Sequence, residues 1–292
     1  MANETTMSST VQRSEAIEAE ILEAFQAASI MQNLVYWTNL EPNTKLKKLP
    51  KGPALSASVV AEGSAATPQA VTDTSVSLTI QKAVVVTKPT VEAQKFTVSA
   101  EKARHLKLAK RACLKKFEVD SLSLVSGFSQ SVDAGTAATL AKLHEAAYTA
   151  GLSDADELEL VIDAVLSKKQ VWQIEGDIRS SGSAIYGNPG FSFSTVNVTR
   201  KMQGLKGDIL GINVFESSNV QTSGGNFLGY VGFRGLALAA LAPLGAGNSP
   251  EFETSVALEL GFLESVSFIK TLMWYQVAEY NDACGVQFLS DT

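Results

Sequence analysis

Hydrophobic positions in the first third of the chain follow first a helical and then a strand spacing. Within residues 12–32, Ile17, Ile21 and Phe25 recur every four residues, which predicts an amphipathic helix with one apolar face. Residues 54–88 alternate between apolar and polar positions in two runs separated by a long loop, which predicts a β-hairpin. Because an isolated two-stranded ribbon is marginally stable in water, the hairpin is expected to lie on its own chain or on a neighbouring one.

The middle of the chain has the apolar spacing of helices. Helices are predicted at about 99–118, 136–150 and 154–181. Their candidate N-caps are Ser99, Asp133 and Ser153. This pattern indicates a largely helical region between the hairpin and the second half of the chain.

Loops and strands are predicted on either side of that region. Glycine-rich polar loops at 180–190 and 217–225 bracket β-like segments at 191–199 and 207–215. The last forty or so residues have strand spacing again, and the sequence contains no internal repeat. The basic segment 43–52, which precedes the hairpin, is expected to be an exposed turn or an extended linker.

Residues 207–220, GDILGINVFESSNV, form a well-defined apolar run between glycines and small polar residues. Ile209, Ile212 and Val214 are expected to anchor this segment in the core, while Gly207 and Gly211 allow turns and close backbone approach. The stretch contains no pair of residues suited to nucleophilic catalysis, metal binding or phosphate binding. A structural role is therefore expected for it.

The composition indicates a surface that other protein subunits cover. Charged residues make up 18% of the chain, against about 25% in an average protein, and the mean hydropathy is +0.09. The longest apolar stretch, 235–247, is interrupted by Pro243 and is too short to span a membrane. The first residues lack the pattern of a secretory signal, so none is expected.

Net charge and cysteine content narrow the function classes further. The net charge of −6 and the pI of about 5.1 argue against a dedicated nucleic-acid-binding protein. One predicted helix, 99–118, nevertheless carries seven basic residues, among them Lys107, Lys110 and Arg111. That face could meet a phosphate backbone, acidic helices of a neighbour, or water. Cys113 and Cys284 are expected to be reduced and buried.

No motif in the sequence carries catalytic or cofactor chemistry. His105 and His144 lie on predicted helices, and no serine sits in a G-x-S-x-G motif. No histidines or cysteines have metal-ligand spacing, and neither a dinucleotide-binding fingerprint nor a phosphate-binding loop is present. The chain is expected not to be an enzyme and to bind no cofactor or metal.

The order of the predicted elements resembles that of the major capsid proteins of tailed double-stranded DNA phages. VVAEGSAATPQ, with Glu62 before Gly63, is similar to that family's E-loop, and VSLTIQKAVVVTKPT to its return strand. GDILGINVFESSNV is similar to a turn and strand of the A-domain, and MWYQVAEYNDACGVQFLSD to the last strands. The resemblance covers residues 10 to 290, almost the whole chain.

This resemblance implies an α+β fold, the tailed-phage major-capsid or HK97-like fold, with an N-arm, an E-loop hairpin, a P-domain with a long spine helix, and an A-domain. The implied divisions are an N-terminal arm at 1–52, the E-loop hairpin and return strand at 53–90, the P-domain with spine helix at 91–132, mainly A-domain at 133–248, and closing strands at 249–292. The implied inter-subunit contacts are Ile17, Ile21, Phe25, Glu62, Val76 and Leu78. The implied basic residues on the inner face are Lys107, Lys110 and Arg111.

The resemblance also implies function and partners. The chain would assemble into hexamers and pentamers of an icosahedral shell around the phage genome, in the host cytoplasm, with portal and scaffolding proteins and non-specific contact with packaged DNA. Some relatives crosslink an E-loop lysine to a neighbour. Residues 54–81 contain no lysine and Lys82 lies in the return strand, so no crosslink is expected here.

Three other readings stay open from the sequence. An encapsulin-like shell would have the same fold and hold an enzyme as cargo. A tail or decoration protein would also be rich in strands, although such proteins seldom contain a long helical middle like 99–181. A hydrolase is the third class, and no residue stands out as its nucleophile.

Overall fold

The computed structural model describes residues 4–5, 29–51, 59, 74–89, 101–151, 161–180, 205–209, 211–243, 251–260 and 265–292. The helices are α1 (Glu101–Ser123), α2 (Leu140–Gly151) and α3 (Lys168–Ser180). Short 3-10 helices occupy Met31–Asn33, Leu124–Gly127 and Asp282–Cys284.

The strands form two large sheets and one two-stranded ribbon. The first sheet has the order β1 (Glu4–Thr5), β5 (Gln81–Pro89), β14 (Ser265–Glu279), β12 (Leu238–Ala242), β2 (Tyr36–Asn39), with β13 (Glu251–Leu260) also paired to β14. The second has the order β6 (Ser131–Asp133), β15 (Gly285–Asp291), β11 (Asn226–Phe233), β7 (Ile162–Leu166), β9 (Ile212–Glu216), β8 (Leu205–Ile209), with β10 (Gln221–Ser223) on β11. The ribbon pairs β3 (Leu46–Lys51) with β4 (Thr74–Thr79).

A continuous apolar core joins α1 to the first sheet. Phe117 of α1 is fully buried, and its ring stacks on Trp37 and meets Tyr275 edge-on, each at 5.3 Å between centroids. Cys113, one helical turn earlier, faces the same core. The apolar spacing of α1 therefore aligns the long helix with strands β2 and β14.

The second sheet is covered by α2 and α3, whose apolar faces are narrow. Val171, Ile174 and Ile178 of α3 are buried at helical spacing, and the buried residues of α2 are Leu143, Ala146, Ala147 and Ala150. Gly285 of β15 lets the ring of Phe128 approach the strand closely, because a Cβ at this position would lie 2.7 Å from that ring. Small residues thus let the helices and the sheet pack tightly.

The stretch 207–220 is a hairpin of β8 and β9 closed at Gly211, whose φ is +85°. Ile209, Ile212 and Val214 are at most 2% exposed, which confirms that they anchor the segment in the core. β9 lies parallel to β7 inside the second sheet. The turn at Gly211 needs a residue without a Cβ because this backbone conformation is strained for other residues.

Two expectations about helices were wrong. The predicted helix at 154–181 is interrupted by β7, and α3 begins only at Lys168. β7 lies between β11 and β9 and both of its faces are covered, so four of its five residues are buried, and a short apolar run of this kind has no distinguishing period. The proposed cap Ser153 lies outside the described residues, as does Ser99.

The second helix also begins later than its spacing suggested. Asp133 ends β6 and accepts a hydrogen bond from the amide of Gly135 at 2.8 Å, so it caps no helix. α2 is instead capped by Thr139, whose hydroxyl accepts from the amide of Lys142 at 3.4 Å, and by α3, where the carboxylate of Asp177 accepts from the amide of Leu140 at 2.9 Å. The cap at Thr139 is local in sequence, whereas the contact with Asp177 leaves no local sequence signal.

The segment 43–52 is not a free linker. Its residues 46–51 form β3, which pairs antiparallel with β4 from Leu46 opposite Thr79 to Lys51 opposite Thr74. The first run predicted as the partner strand, 54–63, lies outside the described residues except for residue 59, which is not in a strand. The ribbon therefore begins at Leu46, eight residues before the start of the hairpin predicted from the sequence.

Candidate assembly surfaces

The described residues include several surfaces suited to association with other proteins. Among them, no three of His, Cys, Asp and Glu are grouped in a way that could hold a metal ion. Cys113 and Cys284 are free thiols, each 1% exposed, as expected, and burial raises the pKa of Cys113. No helix in the described part of the chain is long and apolar enough to cross a membrane.

The outward face of the first sheet carries an apolar strip on β5. Val84 is 42% exposed and Val86 is 49% exposed, whereas Ala83 and Val85 on the opposite face pack against the core. Exposed valines side by side on a strand are unusual on a free surface and suit a contact with another protein. The strip was visible in the sequence only as an uninterrupted apolar run.

Strand β14 borders this strip: its Leu272 is only 9% exposed, and its Lys270 is half-buried and adds a positive charge. Leu272 lies opposite Val84, and Lys270 lies opposite Val86 in the antiparallel register. The ammonium group of Lys82 lies 6.0 Å from the ring centroid of Trp274, its cross-strand partner. We name Lys82, Val84, Val86, Lys270, Leu272 and Trp274 the β5–β14 strip.

The base of the β3–β4 ribbon is docked on its own chain. Leu78 is 0% exposed, because it packs in a small cluster with Leu40, Leu49, Ala239 and Leu241. Leu78 therefore has no free surface for a neighbour, which corrects its assignment as an inter-subunit contact. Val76, one pleat away on the same face of β4, remains partly exposed.

The other residues assigned to inter-subunit contacts cannot be placed. Ile17, Ile21, Phe25 and Glu62 lie outside the described residues. The basic residues can be placed: Lys107 and Lys110 are exposed on α1, and Arg111 is half-buried. Lys110 is three residues before Cys113 and seven before Phe117, so it lies beside the core face of α1, whereas Lys107 and Arg111 lie farther round the helix.

A buried carboxylate fixes the start of the described core. Glu118 of α1 is 1% exposed and accepts hydrogen bonds from the amide of Ile30, at 3.2 Å, and from the hydroxyl of Ser217. Ile30 and Met31 are 2% and 0% exposed, so the chain is already in the core at this point. One side chain thus joins the N-terminal segment, the long helix and the loop after β9.

A second buried charge holds the three central elements of the second sheet together. Asp163 of β7 is 0% exposed and binds the guanidinium of Arg234 through two hydrogen bonds of 2.6 and 2.7 Å. The side-chain amide of Asn213 on β9 donates to the same carboxylate at 3.0 Å. The hydrogen bond to Asp163 raises the pKa of Arg234, and burial and Asp163 raise the pKa of Tyr230 nearby.

An apolar groove opens beside the first turn of α3. Its volume is about 500 Å³, and it is lined by Ser167, Lys168, Lys169, Trp172, Ser217, Ser218, Val220 and Phe227. Trp172 is 69% exposed, although it is the largest apolar side chain of the lining. The sequence pattern had not singled out this groove.

The start of α3 is fixed by a reciprocal capping arrangement. The amide of Ser167 donates to the side-chain oxygen of Gln170 at 2.9 Å, and the amide of Gln170 donates to the hydroxyl of Ser167 at 3.2 Å. This S-x-x-Q pattern is a recognised signal for a helix start. It holds the first turn of α3, and with it Trp172, in one position at the groove wall.

Comparison with known proteins identifies the fold. No family model matches the sequence, and no curated protein matches it. Among solved structures, the capsid of Ralstonia phage GP4 matches with a TM-score of 0.69 and 8% identity over 91% of this chain and 92% of that chain. The capsid of cyanophage P-SCSP1u matches with a TM-score of 0.63 and 12% identity over 92% of this chain and 90% of that chain.

A non-viral shell shares the same architecture. The holo-SrpI encapsulin of Synechococcus elongatus matches with a TM-score of 0.62 and 11% identity over 89% of this chain and 87% of that chain. All three likenesses combine low identity with nearly complete coverage of both chains. The chain therefore has the α+β, HK97-like fold of the major capsid proteins of tailed phages.

Proposed function

We propose that this chain is a major capsid protein, a structural subunit that assembles with copies of itself into the icosahedral shell around a phage genome. The supporting observation is the extent of the likeness, which reaches 91% of this chain and 92% of the GP4 capsid subunit. A likeness of this extent is between whole subunits rather than between single shared domains. The function then follows from the architecture and not from any catalytic site.

The surface of the subunit suits repeated association. Burial of apolar area contributes about 25 cal/mol per Å², and loss of rotational and translational freedom offsets much of that in any single contact. A shell subunit contacts several neighbours, so contacts that are individually weak become strong together. The β5–β14 strip provides exposed apolar area on a rigid sheet, as such a contact requires.

The proposed division of the chain follows the sequence expectation with one change. Residues 1–52 are assigned to the N-terminal arm, 53–90 to the E-loop hairpin and return strand, 91–132 to the P-domain, 133–248 mainly to the A-domain, and 249–292 to closing strands. Because β3 pairs with β4, we move the start of the E-loop hairpin to Leu46. In this assignment α1 is the spine helix, and strands β7 to β11 of the second sheet belong to the A-domain.

The proposed partners are copies of the chain, arranged as hexamers and pentamers, together with a portal protein and a scaffolding protein. The proposed location is the virion shell, assembled in the host cytoplasm. Lys107, Lys110 and Arg111 are proposed to face the interior, where non-specific contact with packaged DNA would involve their charges.

Charge reversal of that basic face tests the DNA contact. Lys107→Glu, Lys110→Glu and Arg111→Glu together are expected to lower DNA retention in filled particles or the stability of the shell, since three favourable phosphate contacts become repulsive. Release of DNA on heating, followed with a DNA-binding dye at several salt concentrations, measures the effect. Reversal of Lys115, which is exposed on the same helix, is the single-residue control. Unchanged retention and unchanged shell stability would mean that this face is only solvated.

An encapsulin-like cargo shell is the second candidate, favoured by the match with the SrpI encapsulin. The content of purified particles distinguishes the two functions. A genome-enclosing shell from infected or induced cells contains nuclease-protected double-stranded DNA, and absorbance and gel analysis of its content would detect it. Particles that enclose a defined protein and no nucleic acid would support the cargo shell and contradict the capsid proposal.

A further inference from the structure

The groove beside α3 is lined by both apolar and basic side chains. Trp172, Val220 and Phe227 form apolar walls, while Lys168 and Lys169 are exposed at the rim in the first turn of the helix. A tryptophan with 69% of its surface exposed leaves a large apolar area in water. The groove is therefore suited to an apolar segment that also carries negative charge.

The two lysines are not explained by the stability of the helix itself. The first turn of α3 contains no acidic residue, and positive side chains there oppose the partial positive charge of a helix N-terminus. This arrangement is therefore unfavourable for the helix. An acidic occupant of the groove would offset that cost, since its carboxylates would interact with both the lysines and the helix terminus.

The N-terminal end of the described core lies close to the groove wall. The carboxylate of Glu118 binds the amide of Ile30 through one oxygen and the hydroxyl of Ser217 through the other. Ser217 and its neighbour Ser218 line the groove. The chain at Ile30 is therefore joined to the groove wall through two hydrogen bonds to one carboxylate.

We propose that this groove receives the acidic amphipathic segment 12–28 of the same chain. The sequence of that segment places Ile17, Ile21 and Phe25 on one face, with four glutamates, Glu15, Glu18, Glu20 and Glu23, around the others. The apolar face matches the walls of Trp172, Val220 and Phe227, and the glutamates match the lysines at the rim. A segment tethered this close has an effective concentration in the millimolar range, which favours the groove of its own chain.

Two other segments of the chain fit less well. Residues 181–204, which follow α3, contain no Asp or Glu and include Arg200 and Lys201, so they would repel the lysines at the rim. Residues 152–160 are acidic, but they precede β7, whereas the groove lies at its other end. A five-residue strand is about 17 Å long, which separates Val161, where the described chain resumes, from the groove. Charge and chain direction thus both favour the segment 12–28.

Disulfide trapping in the purified, unassembled full chain tests the proposal. Trp172→Cys is combined in turn with Ile17→Cys, Ile21→Cys and Phe25→Cys, and the proteins are oxidised at low concentration. We expect at least one pair to form an intramolecular disulfide, seen as a monomer of altered mobility without reducing agent and as a loss of two free thiols. The native Cys113 and Cys284, each 1% exposed, do not compete.

Matched controls separate docking from random collision. Glu23→Cys places the thiol on the opposite face of the predicted helix, and Tyr148→Cys replaces Trp172→Cys at a site on α2 that is also 69% exposed. Both are expected to crosslink several-fold more slowly. Lys168→Glu with Lys169→Glu is expected to slow the productive crosslink several-fold as well.

Each result decides the proposal. Crosslinks between two chains, seen as covalent dimers, would overturn docking within one chain and assign the groove to a neighbour's segment. Equal rates at Trp172 and Tyr148, or no crosslink in any pair, would overturn the groove as the docking site. The proposal concerns a single subunit, so it can fail while the shell function stands, and the reverse is also true.

Discussion

Val84→Glu combined with Val86→Glu is expected to leave the subunit folded and to abolish shell assembly. Both side chains are about half exposed in the single chain, and Lys270 lies opposite Val86, where it can pair with the new carboxylate. At an interface the same two carboxylates would lose water without enough partners, which costs several kcal/mol. The critical concentration for assembly should rise at least about ten-fold, which corresponds to about 1.4 kcal/mol.

Sedimentation velocity measures assembly, and circular dichroism with thermal unfolding measures folding. Val161→Glu is the matched control, because Val161 is 44% exposed, within the range of the two valines, and lies outside the β5–β14 strip. It is expected to assemble normally. Assembly of the double variant at the wild-type concentration would show that the strip is not an assembly contact.

Arg234→Met is expected to destabilise the subunit by about 3–5 kcal/mol, because it leaves the carboxylate of Asp163 buried without its positive partner. The remaining hydrogen bond from Asn213 does not neutralise that charge. Urea unfolding of the unassembled subunit measures the change in the free energy of unfolding. Asp163→Asn in the Arg234→Met background should recover part of the loss, since the buried group is then neutral.

The exposed ion pair of Lys142 with Glu145 provides the control. Its atoms lie 2.7 Å apart, but both side chains are largely in water. Lys142→Met should therefore cost about 0.5 kcal/mol or less. If Arg234→Met cost no more than this, the Asp163–Arg234 pair would not hold β7, β9 and β11 together.

Local sequence patterns correctly predicted the elements in which the apolar side chains all lie on one face. The long helix ends at Ser123 rather than near residue 118, and Cys113 lies on its inner face, buried as expected, beside Phe117. The anchoring of Ile209, Ile212 and Val214 was also predicted. In each case the apolar residues recur with a spacing that places them on one face, and the rest of the chain buries that face.

The errors occurred where a residue's environment depends on distant parts of the chain. Four of the five residues of β7 are buried because both faces of this interior strand are covered, which a short apolar run cannot reveal. β3 was not predicted as a strand because it contains four basic or proline residues in six, Lys47, Lys48, Pro50 and Lys51, an unusual composition for a strand.

Parts of the assembly surfaces had signals that were not used. The S-x-x-Q sequence at Ser167 to Gln170 marks the start of α3, and the spacing of Val171, Ile174 and Ile178 turns Trp172 away from the core. By contrast, the contacts of Glu118 with Ile30 and Ser217 and of Asp163 with Arg234 join residues far apart in sequence. A single sequence contains no signal for such pairs.

The N-terminal arm should be tested with a deletion that leaves the core intact. Ile30 and Met31 are buried in the core, so a deletion through residue 32 would disrupt folding as well as remove the arm. A deletion that ends at residue 28 avoids this and leaves the amide of Ile30 bound to Glu118. The truncated subunit is expected to fold and to assemble poorly.

Electron microscopy of the purified protein tests the central claim most directly. The account predicts closed, hollow shells of uniform size, built from hexamers and pentamers of this chain, under at least one assembly condition of salt, pH or crowding agent. A protein that remains a single, unassociated subunit under every such condition, with scaffolding protein supplied, would contradict it.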